Sequence, residues 1–183
     1  MKGITEKKAI KLLKKYSNNE ESFELVLEHS KAVQKAAINI AEDVKKNNKI
    51  DINLIKIGSL LHDIGRFKCY NKNSIRHGVI GGEILRKENL PEYAEIAERH
   101  IGVGITKEDI KQQRLDLPPK DFVPETTEQK IITYADNLVF GSRIGTIKEV
   151  IERYRKELGK EYVERIKKSH NEMEKLRGKN NFL

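Results

Sequence analysis

Residues 57–65 read IGSLLHDIG, in which a largely apolar run is followed by a histidine and an aspartate. Asp51 is a suitable N-cap ahead of this run and Gly65 suits a helix stop behind it, which predicts one helix between them. His62 and Asp63 say little alone, because such a pair also arises by chance. Their significance depends on which other ionisable side chains the chain places on buried helix faces.

The preceding segment predicts a long amphipathic helix with a histidine on its buried face. Ser22 is a candidate N-cap, and the polar pair at 47–48 is a candidate stop. Apolar residues between them recur at spacings of three and four, and His29 falls on the same stripe. The other members of the stripe are Leu25, Val33, Ala36, Ala37, Ile40 and Val44.

A later helix carries an aspartate in a similar setting. Thr126 or Thr127 is placed to open it as an N-cap. Asp136 lies on its apolar side, flanked by Tyr134 and Ala135. This pattern predicts a carboxylate that faces the interior of the protein rather than water.

The remaining pattern is also helical. Further helices are predicted over about 5–16, 74–88 and 91–100, and another begins at about 106. A last helical segment spans about 146–177 and has a break at Gly159. The proline-rich segment 117–124 indicates a loop, and no run alternates as a strand does over more than a few residues. The chain is therefore predicted to be all-α, as a single domain over 1–183. His170, in the charged C-terminal helix, is expected on the surface.

Composition excludes several classes of protein. The chain has 183 residues and a formal charge of +8. No stretch approaches the roughly 18 consecutive apolar residues of a membrane span, and the first residues are charged, so we expect a cytoplasmic protein with no membrane partner. The single cysteine, Cys69, excludes an intramolecular disulfide framework, a cysteine-based zinc finger and an iron–sulfur cluster.

Histidines and carboxylates on buried helix faces need a partner, because burying a bare charge costs on the order of several kcal/mol or more. Imidazoles and carboxylates that converge from different helices form a mixed nitrogen and oxygen site. Such a site suits Fe, Mn, Zn, Co or Ni, and Mg is also possible. The cores of helical bundles commonly hold metal sites of this kind.

His29, the pair His62-Asp63 and Asp136 follow one another in an order that resembles the HD-domain superfamily of metal-dependent phosphohydrolases. The string HDIG is a variant of the central motif of that family, and the lead-in IGSLL and the string YADN around Asp136 are also similar to it. The resemblance implies that these four residues bind a metal ion. It also implies that Asp63 faces both the ion and the nucleophilic water.

The resemblance covers about 22–143 and implies an HD-domain helical bundle there. The segment over about 146–178 would then form additional C-terminal helices. The implied activity is that of a metal-dependent phosphohydrolase, which uses metal-activated water on a phosphate ester or anhydride of a nucleotide-like substrate.

Two further histidines bear on the number of metal ions. Some HD subfamilies bind two metals and use histidines between the central pair and the last aspartate, where this chain has His77 and His100. This looks like the dinuclear subfamilies, which include diadenosine-tetraphosphate hydrolases and cyclic-dinucleotide phosphodiesterases, and implies that Asp63 bridges two ions. The chain departs from the cyclic-dinucleotide enzymes, because Ile101 follows His100 and a Gly-Tyr-Pro motif is absent.

A phosphate substrate also needs cations, and arginine binds phosphate through a planar fork. Arg66 follows the HDIG string directly, and Arg143 follows Asp136 by two helical turns. These two arginines are the strongest candidates for a part in catalysis. The full set of candidate substrate-binding residues is Arg66, Lys68, Arg76, Arg99 and Arg143.

Two other functions are compatible with the sequence. An RNA- or nucleotide-binding module could keep a metal for structure, and the +8 charge and the basic segment 160–179 support it. A scaffold without activity is the second, although the intact set of candidate ligands argues against it. The expected partner is a small phosphorylated, nucleotide-like compound, and the oligomeric state stays open.

Overall fold

A computed structural model describes residues 4–69 and 74–183 of the chain. Within these residues the protein consists of nine α-helices, two short 3-10 helices and one small β-hairpin. The α-helices are α1 (Glu6–Tyr16), α2 (Glu20–Val44), α3 (Ile52–Leu61), α4 (His77–Lys87), α5 (Pro91–Arg99), α6 (Lys107–Gln113), α7 (Thr127–Asn137), α8 (Ile147–Glu157) and α9 (Lys160–Leu176). The 3-10 helices span Ile64–Lys68 and Ser74–Arg76, and the hairpin strands are β1 (Val139–Phe140) and β2 (Arg143–Ile144). The predicted all-α class is confirmed.

Side-chain caps fix where the helices begin. The Asp51 carboxylate accepts a hydrogen bond from the Leu54 amide at the start of α3, as the sequence predicts. Thr126 caps α7 in the same way. The start of α2 differs from the prediction, because Asn19 is its N-cap and Ser22 lies one turn inside, where the two residues hydrogen-bond reciprocally.

Helix α3 forms the centre of the bundle and packs against α2, α5 and α7. Its side chains from Ile55 to Leu61 are almost all fully buried. Gly58 allows the close approach of α5 and α7, since a Cβ atom there would lie 2.6 Å from Ile96 Cδ1 and 2.9 Å from Ile132 Cδ1. The HDIG string, which directly follows α3, is thereby held in the interior.

Gly65 brings α4 against the turn that follows α3. A Cβ atom at this position would overlap the backbone carbonyl of His77, and it would lie 2.5 Å from the Gly81 amide nitrogen. Only a glycine therefore permits this contact. The close approach places His77, the first residue of α4, beside the His62-Asp63 pair.

The C-terminal helices α8 and α9 pack on each other, and α9 also contacts α7. The predicted break at Gly159 is confirmed, with a positive φ of 92° between the two helices. The expectation for His170 is wrong. Its side chain is buried under α7 and the C-terminal tail, where it contacts Tyr134 and the Asn181 carbonyl.

The β-hairpin that follows α7 was not expected from the sequence. Its strands are only two residues long and turn at Gly141, whose φ is 65°. A second difference concerns Leu25, which the stripe of α2 placed in the core. Its side chain is 64% exposed. Within the described residues, no helix is both long and apolar enough to cross a membrane.

Candidate metal centre

Six ionisable side chains converge where five helices meet. They are His29 in the middle of α2, His62 and Asp63 after α3, His77 at the start of α4, His100 after α5 and Asp136 near the end of α7. The structure therefore brings together all six residues that the sequence singled out as candidate metal ligands. Their assignment as ligands stays a prediction.

All four histidines are oriented in the same way. Each directs Nδ1 at a backbone carbonyl, which can only accept, so Nδ1 carries the proton and Nε2 keeps a lone pair in the neutral ring. The acceptors for His29, His62, His77 and His100 are the carbonyl oxygens of Gly141, Ser59, Ser74 and Ala97, at 2.8, 2.7, 2.5 and 2.7 Å respectively. A second hydrogen bond of this kind typically orients metal-binding histidines.

Asp63 lies between two groups of imidazoles. Its Oδ1 is 3.2 Å from His77 Nε2 and 3.3 Å from His100 Nε2. Its Oδ2 is 3.4 Å from His29 Nε2 and 3.6 Å from His62 Nε2. Asp136 belongs to the second group, because its Oδ1 is 3.0 Å from His29 Nε2 and 3.5 Å from His62 Nε2.

The spacing of these atoms suits a cation. Ligand atoms of His29, His62 and Asp136 all lie within 4.8 Å of one another, and so do those of His62, Asp63 and His100. Among the described residues, neither His62 Nε2 nor Asp63 Oδ1 has a hydrogen-bond partner, although both are fully buried. An unpaired buried polar atom costs about 1–3 kcal/mol, which a bound metal ion would remove.

Electrostatics hold most of the centre in the ionisation state that metal binding requires. Burial raises the pKa of Asp63, but His62, His100 and His77 outweigh it and hold that pKa well below its ordinary value. Burial lowers the pKa of His100 to about 4, which keeps its imidazole neutral at pH 7. Asp136 also has a lowered pKa, since the facing His29 and His62 rings outweigh its burial.

His29 differs from the other histidines. Burial lowers its pKa, but Asp136 and Asp63 outweigh this effect and raise the pKa to about 9. The ring is thus protonated at neutral pH when it faces two carboxylates and no metal. Binding of a cation at this position requires the loss of that proton.

A groove of about 790 Å³ opens over one side of the centre. Its lining includes His29, Asp63, Asp136 and Arg66. His77 and His100 lie outside this lining. The walls come from α2, the hairpin and α8, and include Leu25, Phe140, Arg153, Tyr154 and Leu158. The group around Asp63 Oδ2 therefore faces solvent, and the group around Oδ1 lies deeper.

The candidate substrate-binding cations fall in different places. Arg66 lines the groove, and its Nε donates to Asp63 Oδ2. Lys68 is exposed at the end of the first 3-10 helix. The other three lie outside the groove lining, where Arg76 pairs with Asp116, Arg99 with Glu95 and Glu125, and Arg143 with Glu149. The roles of these five residues stay predictions.

Arg153 is a groove residue outside the set predicted from the sequence. This residue precedes the buried Tyr154 on α8 and reaches the wall of the groove. Its position depends on how α8 crosses the end of α7. No local sequence pattern distinguishes Arg153 from the exposed Arg155 two residues later.

The chain is similar to a known family and to several known proteins. The profile of the HD domain matches residues 26–141. A Methanocaldococcus jannaschii protein described as uncharacterised is 45% identical over 157 residues, which cover 85% of this chain and 87% of that protein. Two tRNA (cytidine(56)-2'-O)-methyltransferases, from Picrophilus torridus and Thermoplasma volcanium, are each 40% identical over 88% and 90% of this chain. The chain covers only 45% of each methyltransferase.

Solved structures of similar fold include the HD domain of the Listeria monocytogenes phosphodiesterase PgpH. It superposes with a TM-score of 0.53 over 93% of this chain and 97% of that domain, at 18% identity. The complex of the same domain with cyclic-di-AMP gives a TM-score of 0.53 at 19% identity. At this level of identity the likeness concerns the fold, and it matches the helical bundle that the HDIG string indicated.

Proposed function

Because this chain belongs to the HD-domain family, we propose that it is a metal-dependent phosphohydrolase centred on Asp63. The observation that carries the proposal is the fully buried Asp63 carboxylate, with two imidazole Nε2 atoms near each oxygen. Each of those imidazoles is fixed by a carbonyl behind it. A purely structural cluster would pair these polar atoms with one another, but His62 Nε2 and Asp63 Oδ1 have no partner among the described residues.

The same geometry supports two ions. His29, His62, Asp136 and Asp63 Oδ2 would hold the ion that faces the groove. His77, His100 and Asp63 Oδ1 would hold the deeper one, so that Asp63 would be a ligand to both. The donor set of imidazoles and carboxylates suits Mn, Fe, Co, Ni or Zn, with Mg as a weaker fit.

Divalent metal bound here would lower the pKa of water towards about 7 and neutralise charge on a phosphoryl group. The protein groups have distinct tasks in this scheme. Asp63 would orient the attacking water and accept its hydrogen bond, while Asp136 and the histidines would hold the metal. Arg66 is held by Asp63 through Nε, and its terminal nitrogens are assigned to a phosphate oxygen.

The substrate is proposed to be nucleotide-like. A groove of about 790 Å³ is large enough for a nucleotide, since ligand pockets typically span about 300–1,000 Å³. Its walls combine the exposed side chains of Leu25 and Leu158 and the ring of Phe140 with cationic groups. Apolar walls suit the organic part of such a substrate, and the cations suit its phosphate.

The test is an activity matrix of metals against substrates on anaerobically purified protein. Chelator-treated protein receives Mn, Fe, Co, Ni, Zn or Mg, and each form is assayed with nucleoside monophosphates, dinucleoside polyphosphates, cyclic nucleotides and p-nitrophenyl phosphate esters. Hydrolysis that depends on metal and disappears in His62→Ala is expected. No turnover with any pair, or equal turnover by His62→Ala, would overturn the proposal.

A role connected with RNA is the second candidate. Two 40% identical relatives are named tRNA methyltransferases, although this chain covers only 45% of each. The +8 charge of the chain also favours an anionic partner. Binding of a transfer RNA that weakens steeply between low and high salt would support this candidate. Hydrolysis of small nucleotides should depend much less on salt.

A further inference from the structure

Helix α8 lies outside the part of the chain that the HD-domain profile matches, since that match ends at residue 141. Even so, α8 forms one wall of the groove above Asp63 and Asp136. It contributes Arg153, Tyr154 and Glu157, and Leu158 follows directly. This wall is therefore built by the C-terminal helices, beyond the segment that the profile matches.

Arg153 is held in a defined position on this wall. Its Nη2 donates to the Asn137 carbonyl at 3.0 Å, next in sequence to Asp136. Its guanidinium carbon lies 4.6 Å from the centre of the Phe140 ring. The Tyr154 hydroxyl donates to Asn137 Oδ1 at 2.5 Å, which ties α8 to the same end of α7. The guanidinium is thus fixed beside the candidate metal centre.

The charge of Arg153 is not neutralised locally. Across residues 4–69 and 74–183, no carboxylate lies within ion-pair distance of it, and this includes Glu157 one turn away on the same wall. Arg66, the other arginine in the groove, pairs with Asp63. Arg143, on the neighbouring hairpin, pairs with Glu149. Arg153 is therefore the groove arginine whose charge is available to a ligand.

We propose that Arg153 binds a phosphate group of the substrate in this groove. The inference rests on the proposed function, because it places that phosphate beside Asp63 and Asp136. A guanidinium with one donor bound to a carbonyl and its carbon 4.6 Å from the centre of an aromatic ring loses little further conformational freedom when it binds a ligand. Its remaining donors match the geometry of phosphate oxygens.

Arg153→Gln removes the charge and keeps a hydrogen-bond donor, and Arg155→Gln is the matched control. Arg155 is an exposed arginine on the same helix that does not line the groove. Adenosine 5'-monophosphate is titrated by calorimetry into the Mn-loaded full chain, with adenosine as the phosphate-free probe. Arg153→Gln is expected to weaken nucleotide binding by about tenfold or more, while Arg155→Gln changes it less than about twofold.

Arg153→Lys separates a direct role from a structural one. It keeps the positive charge and is expected to recover part of the lost affinity, with melting temperatures of all variants close to that of the wild type. In turnover, Arg153→Gln should raise KM far more than it lowers kcat for the best substrate of the matrix. Adenosine, which lacks phosphate, should be bound equally by every variant.

The outcomes separate this inference from the proposed function. Equal nucleotide affinity of the wild type and Arg153→Gln overturns the inference, and so does an absence of nucleotide binding by the wild type. Loss of binding in Arg153→Gln together with no hydrolysis under any metal overturns the hydrolase proposal but supports the phosphate-binding role. Metal-dependent hydrolysis with an unchanged KM in Arg153→Gln supports the hydrolase proposal and overturns the phosphate-binding role of Arg153.

Discussion

Two buried histidines in this molecule, His62 and His170, differ in how their ring nitrogens are satisfied. His62 donates from Nδ1 to the Ser59 carbonyl, while its Nε2 has no hydrogen-bond partner among the described residues. His170 donates from Nε2 to the Asn181 carbonyl at 2.8 Å and accepts at Nδ1 from the Tyr134 hydroxyl at 2.6 Å. One ring nitrogen of His62 therefore has no partner, whereas both ring nitrogens of His170 are hydrogen-bonded.

This difference distinguishes a candidate ligand from a structural histidine. Burial alone does not do so, because His62 and His170 are both buried. A buried ring nitrogen without a hydrogen-bond partner does distinguish them. Such an atom destabilises the fold unless a ligand or ion pairs with it. His62 should therefore matter for metal and activity, and His170 for stability.

The largest expected effect follows from His62→Ala. Loss of this imidazole removes a group that faces both Asp63 and Asp136, so hydrolysis should fall by roughly 10³-fold or more. Steady-state rates with saturating metal measure the change. The matched control is His170→Gln, which should retain turnover within about threefold when it is assayed well below its melting temperature. Comparable losses of turnover in His62→Ala and His170→Gln would contradict the distinction between a ligand and a structural histidine.

His100→Ala distinguishes the two groups of ligands within the centre. It removes one of the two imidazoles beside Asp63 Oδ1 and leaves the group around Oδ2 intact. Activity should fall by about 10- to 100-fold, and the deeper ion should be lost while the one at the groove remains. Activity and metal content are measured on the same preparation. Wild-type metal content in His100→Ala would contradict the two-ion arrangement.

His170→Ala is expected to act on stability. It leaves the buried Tyr134 hydroxyl and the Asn181 carbonyl without their partner, which should lower the free energy of unfolding by about 1–3 kcal/mol. Urea denaturation of metal-free protein measures this change. The affinity for metal should stay as in the wild type. A loss of metal binding with little change in stability would reverse the roles of the two histidines.

The smallest expected effect concerns the tail that covers His170. Lys179, Lys46 and Arg177 lower the pKa of Asp43 below its ordinary value of 3.8. A lowered carboxyl pKa stabilises the fold above the ordinary pKa and loses this contribution as pH falls below it. Asp43→Asn should therefore reduce the unfolding free energy at pH 7 by less than about 1 kcal/mol.

The pH dependence provides the check on that prediction. The difference between the wild type and Asp43→Asn should shrink as the pH is lowered from about 4 towards 2, because the carboxylate of the unfolded chain takes up a proton before that of the folded chain. Urea denaturation series at several pH values measure it. A difference that is constant with pH would show that Asp43 acts through packing rather than through its charge.

The helices and the candidate ligands could be predicted from sequence because their signals are local. Asp51 and Thr126 are caps that act within one turn, and the stripe that includes His29 follows helical periodicity. The stripe of α9 carried a similar signal, since Val163, Ile166 and His170 recur at helical spacing. That periodicity could have shown that His170 is buried.

Other features could not be predicted because they depend on distant parts of the chain. Leu25 follows the apolar stripe of α2, yet it is exposed because the groove lies in front of it. The hairpin is too short to alternate, but its Gly141 carbonyl orients His29. Arg153 reaches the groove only because α8 crosses the end of α7.

Metal content per chain shows whether the six converging side chains hold two ions. Wild-type protein, His170→Gln and His62→Ala are purified anaerobically, loaded with Mn, freed of excess metal and quantified by mass spectrometry. The wild type and His170→Gln should each hold two ions, and His62→Ala should have lost the ion that faces the groove. Equal metal content in the wild type and His62→Ala, or wild-type protein that holds no metal, would contradict the account.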